Sequence, residues 1–153
     1  MKIENPIEYL KKYIADHIDD DDGNWESRHQ PHLKNILGSL TEVQALELSE
    51  AIWNWPHQLL YELAEPISDC ENQYLNVDFI HCKLFSRTSD LMSLDFLTQN
   101  LSAAFHLLTD EERDPDMLKS MRTNLLTVLE SEVDDYWINN YKDLIAAIEQ
   151  HLH

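Results

Sequence analysis

The sequence predicts an all-α fold, a bundle or a stack of antiparallel helical pairs with about seven or eight helices. Apolar residues recur at spacings of three and four along most of the chain, which is the period of an amphipathic helix. Only two of the 153 residues are glycine, whereas hairpins and bulges in sheets commonly require glycine. The length is typical of one domain, and we expect residues 1–153 to form a single helical domain.

The first two helices are indicated by an N-terminal cap and by two apolar stretches. Asn5 can cap the first helix, and Pro6 fits its first turn. This helix should end at residues 19–23, because four adjacent carboxylates oppose the negative C-terminal end of the helix dipole. A second helix should end near Gly38. The apolar residues of the two helices are Ile7, Leu10, Ile14 and Ile18, followed by Leu33, Ile36, Leu37 and Leu40.

Three further helices are predicted in the middle of the chain. Residues 41–44 match a capping box, and Pro56 redirects the chain after the helix that the box opens. The next helix should be short and end before Pro66. The stretch 74–85 fits either a strand or a helix, and helix is favoured because a lone strand would have no partner. The apolar residues of the capping-box helix are Val43, Leu46, Ala51, Ile52 and Trp53.

Three helices are predicted in the last third of the sequence. A long apolar stripe runs from Leu91 to Leu108, with leucine, alanine or phenylalanine at helical spacings. Asp114 and Pro115 then open another helix, in the order typical of a cap and a first turn. A terminal helix should begin at Asp134 or Asp135 and continue to the end of the chain.

The charge of the chain restricts its partners. Twenty-nine Asp and Glu face eleven Lys and Arg, for a formal net charge of −18. We therefore expect no direct binding to nucleic acid or to anionic membranes, and attraction to a basic protein instead. The sequence also contains no apolar run near the roughly 20 residues that span a bilayer. The first six residues lack the apolar stretch of a signal peptide, and the two cysteines form no C-x₂-C pair, which predicts a cytoplasmic protein.

No pattern for catalysis, cofactor binding or metal binding is present. Two glycines fifteen residues apart cannot form a dinucleotide-binding or P-loop motif, and there is no H-E-x-x-H. The eight histidines include His29-x₂-His32 and His151-x-His153, but no third ligand is indicated near either pair. We therefore expect scattered histidines and no metal site. The acidic run also fails the EF-hand pattern, since with Gly23 at its sixth position the first ligand would be Ile18.

The segment between Lys34 and Lys83 contains no Lys or Arg, yet it carries acidic and large aromatic residues. This combination suits a basic protein partner, because charge orients the encounter and Trp or Tyr can anchor it. Two tryptophans two positions apart on a helix point about 200° away from each other, so only one of them can face the core. The predicted partner-binding residues are Asp19, Asp20, Asp21, Asp22, Glu42, Glu47, Glu50, Trp53, Trp55, Asp69 and Glu71.

In its general character, small, acidic and all-helical, the chain resembles the immunity proteins that bacteria encode beside secreted or contact-delivered toxins. The resemblance covers the whole chain and its basic-free segment, and no shared motif carries it. It implies a protein that binds a cognate basic toxin or effector and blocks it by occlusion, without chemistry of its own. Two other hypotheses stay open: an acidic secretion chaperone or adaptor that holds an effector, and a helical enzyme of unknown reaction.

Overall fold

In the computed structural model, residues 4–90, 94–95, 97–131 and 133–152 are described, and all regular structure within these ranges is helical. The all-α prediction and the predicted number of helices are confirmed. Eight α-helices of six or more residues occur in the described ranges: α1 (Pro6–His17), α2 (Gln30–Gly38), α3 (Glu42–Ala51), α4 (His57–Asp69), α5 (Val77–Arg87), α6 (Leu101–His106), α7 (Pro115–Glu130) and α8 (Asp135–Leu152).

The chain divides into two compact units, Met1–Val77 and Asp78–His153. Each unit buries apolar side chains of its own, among them Leu10 and Leu48 in the first and Phe85 and Leu118 in the second. The expectation of one domain over residues 1–153 stays a prediction. None of the helices in the described ranges has both the length and the apolar content of a membrane-spanning segment.

In the first unit, local caps set the helix ends. The Asn5 side chain accepts a hydrogen bond from the Glu8 N–H at 3.2 Å, and α1 ends at His17, just before the segment 19–23 in which its end was expected. Thr41 and Gln44 form the predicted capping box at the start of α3. Helix α1 packs against α2, α3 and α4, and α2 packs against α4. These helices enclose one core.

Two expectations for the first unit are wrong. Helix α4 continues through Pro66 to Asp69, although a helix end was expected before this proline. Pro66 is buried, so its packing offsets the hydrogen bond that its missing N–H cannot donate. Val43 and Leu46 were expected to form part of an apolar helix face, but they are 66% and 62% exposed. The side of α3 that faces the core carries Ala45 and Leu48, and Ile52, which was among the expected apolar residues, is buried just after the helix.

Helix α5, most of which lies in the second unit, contains residues 77–85 of the stretch 74–85 that was favoured as a helix, whereas residues 74–76 precede it and are not helical. The Asp114 side chain accepts from the Met117 N–H at 3.1 Å and caps α7, and α8 begins at Asp135, both as predicted. Helix α8 packs against α6 and α7. The Asn124 amide of α7 donates to the carbonyls of Phe85 and Thr88 at the end of α5.

The apolar stripe of the second unit is not one continuous helix. Residues 98–100 form a turn, and Asn100 has a left-handed backbone with φ of 64° immediately before α6. Leu94 and Leu97 before the turn and Leu101 after it are all buried. The turn therefore redirects the chain while its apolar residues stay in the core. Leu91, at the start of the stripe, lies outside the described residues.

Candidate functional site

The four aspartates of the acidic run are all exposed, but they have different neighbours. Asp21 accepts from the Asn24 N–H at 2.7 Å and caps a short helical turn, Asp22–Asn24. Asp20 is hydrogen-bonded to His17 and His29. Asp22 lies close enough to Glu62 to affect its titration. The run predicted as one contact surface therefore divides into separate local arrangements.

Helix α3 brings together three of the predicted partner-binding residues. Glu42, Glu47 and Glu50 are exposed, as are Val43 and Leu46 between them. At about 100° per residue, these five side chains cover an arc of about 140° on the side of α3 opposite the core. We call these five residues the α3 outer face. It combines three carboxylates with two exposed aliphatic side chains.

The two predicted tryptophan anchors differ in exposure, although Trp55 follows the helical turn in an extended conformation, so the helical spacing argument does not apply to it. Trp55 is 7% exposed and packs in the core, so it offers no anchor at the surface. Trp53 lies just after α3, in a short 3₁₀ turn (Ile52–Asn54), and is half-buried. Its indole N–H donates to the Ser49 carbonyl at 2.7 Å. This bond holds the Trp53 ring against its own helix.

Asp69 and Glu71 are both exposed, but they line different clefts of the first unit. Asp69 shares a cleft with Glu26, Glu65 and Lys34. Glu71 lines a cleft beside the end of α2. Asp69 and Glu71 therefore have different surroundings, whereas three of the predicted partner-binding residues share the α3 outer face.

A cluster of histidine and tyrosine side chains was missed by the sequence analysis. Tyr9, Tyr13 and His17 lie four residues apart on α1, and the rings of His29 and His32 pack against them. The ring centroids of His17 and His29 are 4.3 Å apart, and those of Tyr13 and His32 are 4.7 Å apart. We call these five residues the His–Tyr cluster. The expectation of scattered histidines is wrong for its three members.

Asp20 and Tyr13 hold the cluster together by hydrogen bonds. Oδ2 of Asp20 lies 2.7 Å from Nε2 of His29 and 3.1 Å from Nδ1 of His17. An ionised carboxylate only accepts, so both imidazole nitrogens donate to it. These bonds, the one from His29 first, hold the pKa of Asp20 below its ordinary value. On a neutral His29 ring, Nδ1 then accepts from the Tyr13 hydroxyl, whose oxygen is 2.7 Å away.

The pKa of Tyr13 is raised, first by burial and then by Tyr9. Its hydroxyl therefore stays protonated at neutral pH and acts as a hydrogen-bond donor to His29. The cluster does not supply an activated phenolate. The atoms of this region that can bind a ligand are imidazole nitrogens and a carboxylate oxygen. His17, Asp20 and His29 each offer one such atom, and the three atoms lie within 4.8 Å of one another.

A π-helical turn, Trp25–His29, positions the buried His29. The Gln30 N–H donates to the Trp25 carbonyl, five residues back, which inserts one extra residue into the helical path ahead of α2. The indole N–H of Trp25 donates to the carbonyl of His17 at 3.1 Å. This bond ties the turn to the end of α1 and brings His29 beside His17.

The sequence carried a partial signal for this cluster. The four-residue spacing of Tyr9, Tyr13 and His17 places three ring side chains on one helix face. The sequence spacing pairs His29 with His32, whereas in the structure Asp20 joins His29 to His17. That contact depends on the chain reversal between α1 and α2. The other pair with a plausible ligand spacing, His151 and His153, includes His153, which lies outside the described residues.

The second unit presents aromatic side chains that were also missed. Tyr136 is 78% exposed and Trp137 is 39% exposed, both in the first turn of α8. Trp137 stacks on Tyr141 and lines a cleft with Asp95 and Asp134.

Comparison of the chain with protein-family profiles, with curated proteins and with solved structures finds no match.

Proposed function

We propose that this chain is a protein-binding inhibitor of the immunity-protein kind, which neutralises a basic toxin or effector by covering it. The observation that carries the proposal is the α3 outer face, where Val43 and Leu46 are 66% and 62% exposed between three glutamates. The proposal assigns no catalytic activity to the chain itself.

The two components of the α3 outer face support different stages of binding. The glutamates lie in a segment without Lys or Arg, so their field attracts and orients a basic surface during encounter. Val43 and Leu46 can then be covered by the partner, which stabilises a complex by about 1.5–3 kcal/mol for each aliphatic side chain that becomes fully buried. Charge alone would favour fast association without long residence. The carboxylates and the exposed aliphatic side chains together suit a specific protein partner.

The proposal is tested by charge reversal on the α3 outer face. A double variant, Glu47→Lys with Glu50→Lys, and the wild-type chain are immobilised in parallel and exposed to extracts of the native organism. The matched control is Asp143→Lys with Glu149→Lys on α8, which reverses two equally exposed acidic residues. We expect a basic protein retained by the wild type and the control and lost from the α3 variant. Equal retention by all three chains would show that the α3 outer face is not the interface.

Kinetics with the purified partner then test the division between charge and apolar contact. The association rate should fall steeply with added salt, and less steeply for the α3 charge variant. The variant Leu46→Ser should mainly accelerate dissociation, because it removes an anchor that is exposed in the free chain. A salt-independent association rate would contradict the electrostatic part of the proposal.

A second candidate, an acidic secretion chaperone or adaptor, is favoured by the same exposed Val43 and Leu46, since a chaperone must also cover apolar surface of its client. The two functions are distinguished by the activity of the bound partner. An inhibitor abolishes that activity at a 1:1 ratio, whereas a chaperone leaves it intact or releases an active effector.

A further inference from the structure

We propose that His17, Asp20 and His29 bind one divalent transition-metal ion, through Nδ1 of His17, a carboxylate oxygen of Asp20 and Nε2 of His29. The site lies in the first unit and is independent of the α3 outer face. It gives the chain a bound ion that neither its composition nor its motifs indicate.

The distances between the ligand atoms are close to those that a metal ion requires. Zn²⁺ binds imidazole nitrogen and carboxylate oxygen at about 2.0–2.2 Å, so neighbouring ligands of a tetrahedral site lie about 3.3–3.6 Å apart. Here Oδ2 of Asp20 is 2.7 Å from Nε2 of His29 and 3.1 Å from Nδ1 of His17. All three ligand atoms lie within 4.8 Å of one another. To admit the ion, the Asp20 oxygen must move away from both nitrogens and the separation of the His17 and His29 nitrogens must adjust, and the side chains of His17 and Asp20 are both more than a third exposed.

The site also has the support that a metal-binding histidine needs. A ligating imidazole usually donates its other N–H to an oxygen, which fixes the orientation of the ring. Nδ1 of His29 faces the hydroxyl oxygen of Tyr13 at 2.7 Å, so it can donate there once Nε2 binds the ion. His29 is 4% exposed and is held by the π turn. Such turns are rare in proteins, and those that occur are often found at functional sites.

The ligand set determines the class of ion. Two imidazoles with one carboxylate suit Zn²⁺ and its neighbours in the first transition row, whereas Ca²⁺ and Mg²⁺ prefer oxygen ligands throughout. Three protein ligands leave at least one coordination position of the ion for water or another ligand. The side chains of His17 and Asp20 are both partly exposed, so water can reach the ion.

The test titrates the untagged full chain with Zn²⁺ in competition with a chromophoric chelator. We expect one ion per chain for the wild type, and loss of that ion in His17→Ala and in Asp20→Asn. Both substituted side chains are more than a third exposed, and circular dichroism checks that the variants keep their helices. His57→Ala, which removes an exposed histidine elsewhere in the same unit, is the matched control and should bind as the wild type does.

Two further measurements sharpen the assignment. Co²⁺ should bind at the same stoichiometry, with visible absorption bands that disappear in His17→Ala. Tyr13→Phe should weaken Zn²⁺ binding by about 10- to 100-fold, because it removes the oxygen that orients His29. The proposal is overturned if the chain binds no stoichiometric Zn²⁺, if His17→Ala and Asp20→Asn bind it as tightly as the wild type, or if Ca²⁺ competes equally.

Discussion

Glu62 is the residue whose surroundings most clearly oppose its charge. It lies half-buried on α4, where burial raises its pKa above the ordinary value of 4.5, and the carboxylates of Asp22 and Glu65 raise it further. Ionising the side chain therefore costs free energy in the folded state. Because its folded pKa is the higher one, the stabilising contribution of the protonated form is present at acidic pH and is lost as the pH rises.

We predict that Glu62→Gln raises the melting temperature at pH 7, since glutamine keeps the shape of the side chain without its charge. The difference from the wild type should shrink as the pH falls and vanish below the ordinary value of 4.5, where wild-type Glu62 is also neutral. Thermal unfolding of both chains at several pH values measures this. Glu111→Gln, at an exposed position, is the control. A Glu62→Gln effect that does not depend on pH would contradict the prediction.

At the scale of the helical element, the turn before α6 shows how one backbone conformation interrupts a helical pattern. The apolar stripe has helical spacing on both sides, yet Asn100 adopts φ of 64° and separates Leu97 from α6. A left-handed conformation is least costly for glycine and is tolerated by asparagine. Asparagine itself was the available sign of this break, because it adopts the left-handed conformation more readily than most residues.

We predict that Asn100→Val lowers the free energy of unfolding by about 1–2 kcal/mol, because a β-branched residue strongly disfavours the left-handed conformation. Asn100→Gly should leave stability unchanged or slightly higher, since glycine adopts this conformation freely. Urea denaturation of the three chains compares them. If the valine and glycine variants were equally destabilised, the loss would come from the asparagine side chain and not from its backbone conformation.

Helix starts were largely predictable, and helix faces were not. Asn5, Thr41 and Asp114 cap their helices as predicted, because a cap depends on residues only three positions apart. Helix α3 has apolar residues on both its buried and its exposed side, so its composition could not indicate which side faces the core. The prediction that a helix ends before Pro66 was wrong for a related reason, because the burial of Pro66 in the tertiary structure outweighed its local tendency to end a helix.

At the scale of the whole molecule, the net charge of −18 is the dominant physical property. Even if each of the eleven basic residues neutralised one carboxylate, eighteen of the twenty-nine acidic residues would remain uncompensated. Their mutual repulsion opposes the compact state, and salt screens it over distances of about 10 Å at 0.1 M.

We therefore predict that the melting temperature rises as sodium chloride is increased from very low to physiological concentration. Differential scanning calorimetry at constant pH measures the change. The control is the variant Asp143→Lys with Glu149→Lys, which replaces two exposed acidic residues and so reduces the excess negative charge, and its melting temperature should depend less on salt. A melting temperature that falls with salt would mean that attractive ion pairs outweigh the repulsion.

The sequence by itself determined the helical class, the helix starts and the acidic character, because periodicity, caps and charge are local or additive properties. Tertiary structure alone decided which side of α3 is exposed and which histidines meet. His17, Asp20 and His29 come together only because the chain reverses between α1 and α2 and a π turn shifts His29 inward. Sequence spacing cannot express such contacts, since they depend on how two helices pack in three dimensions.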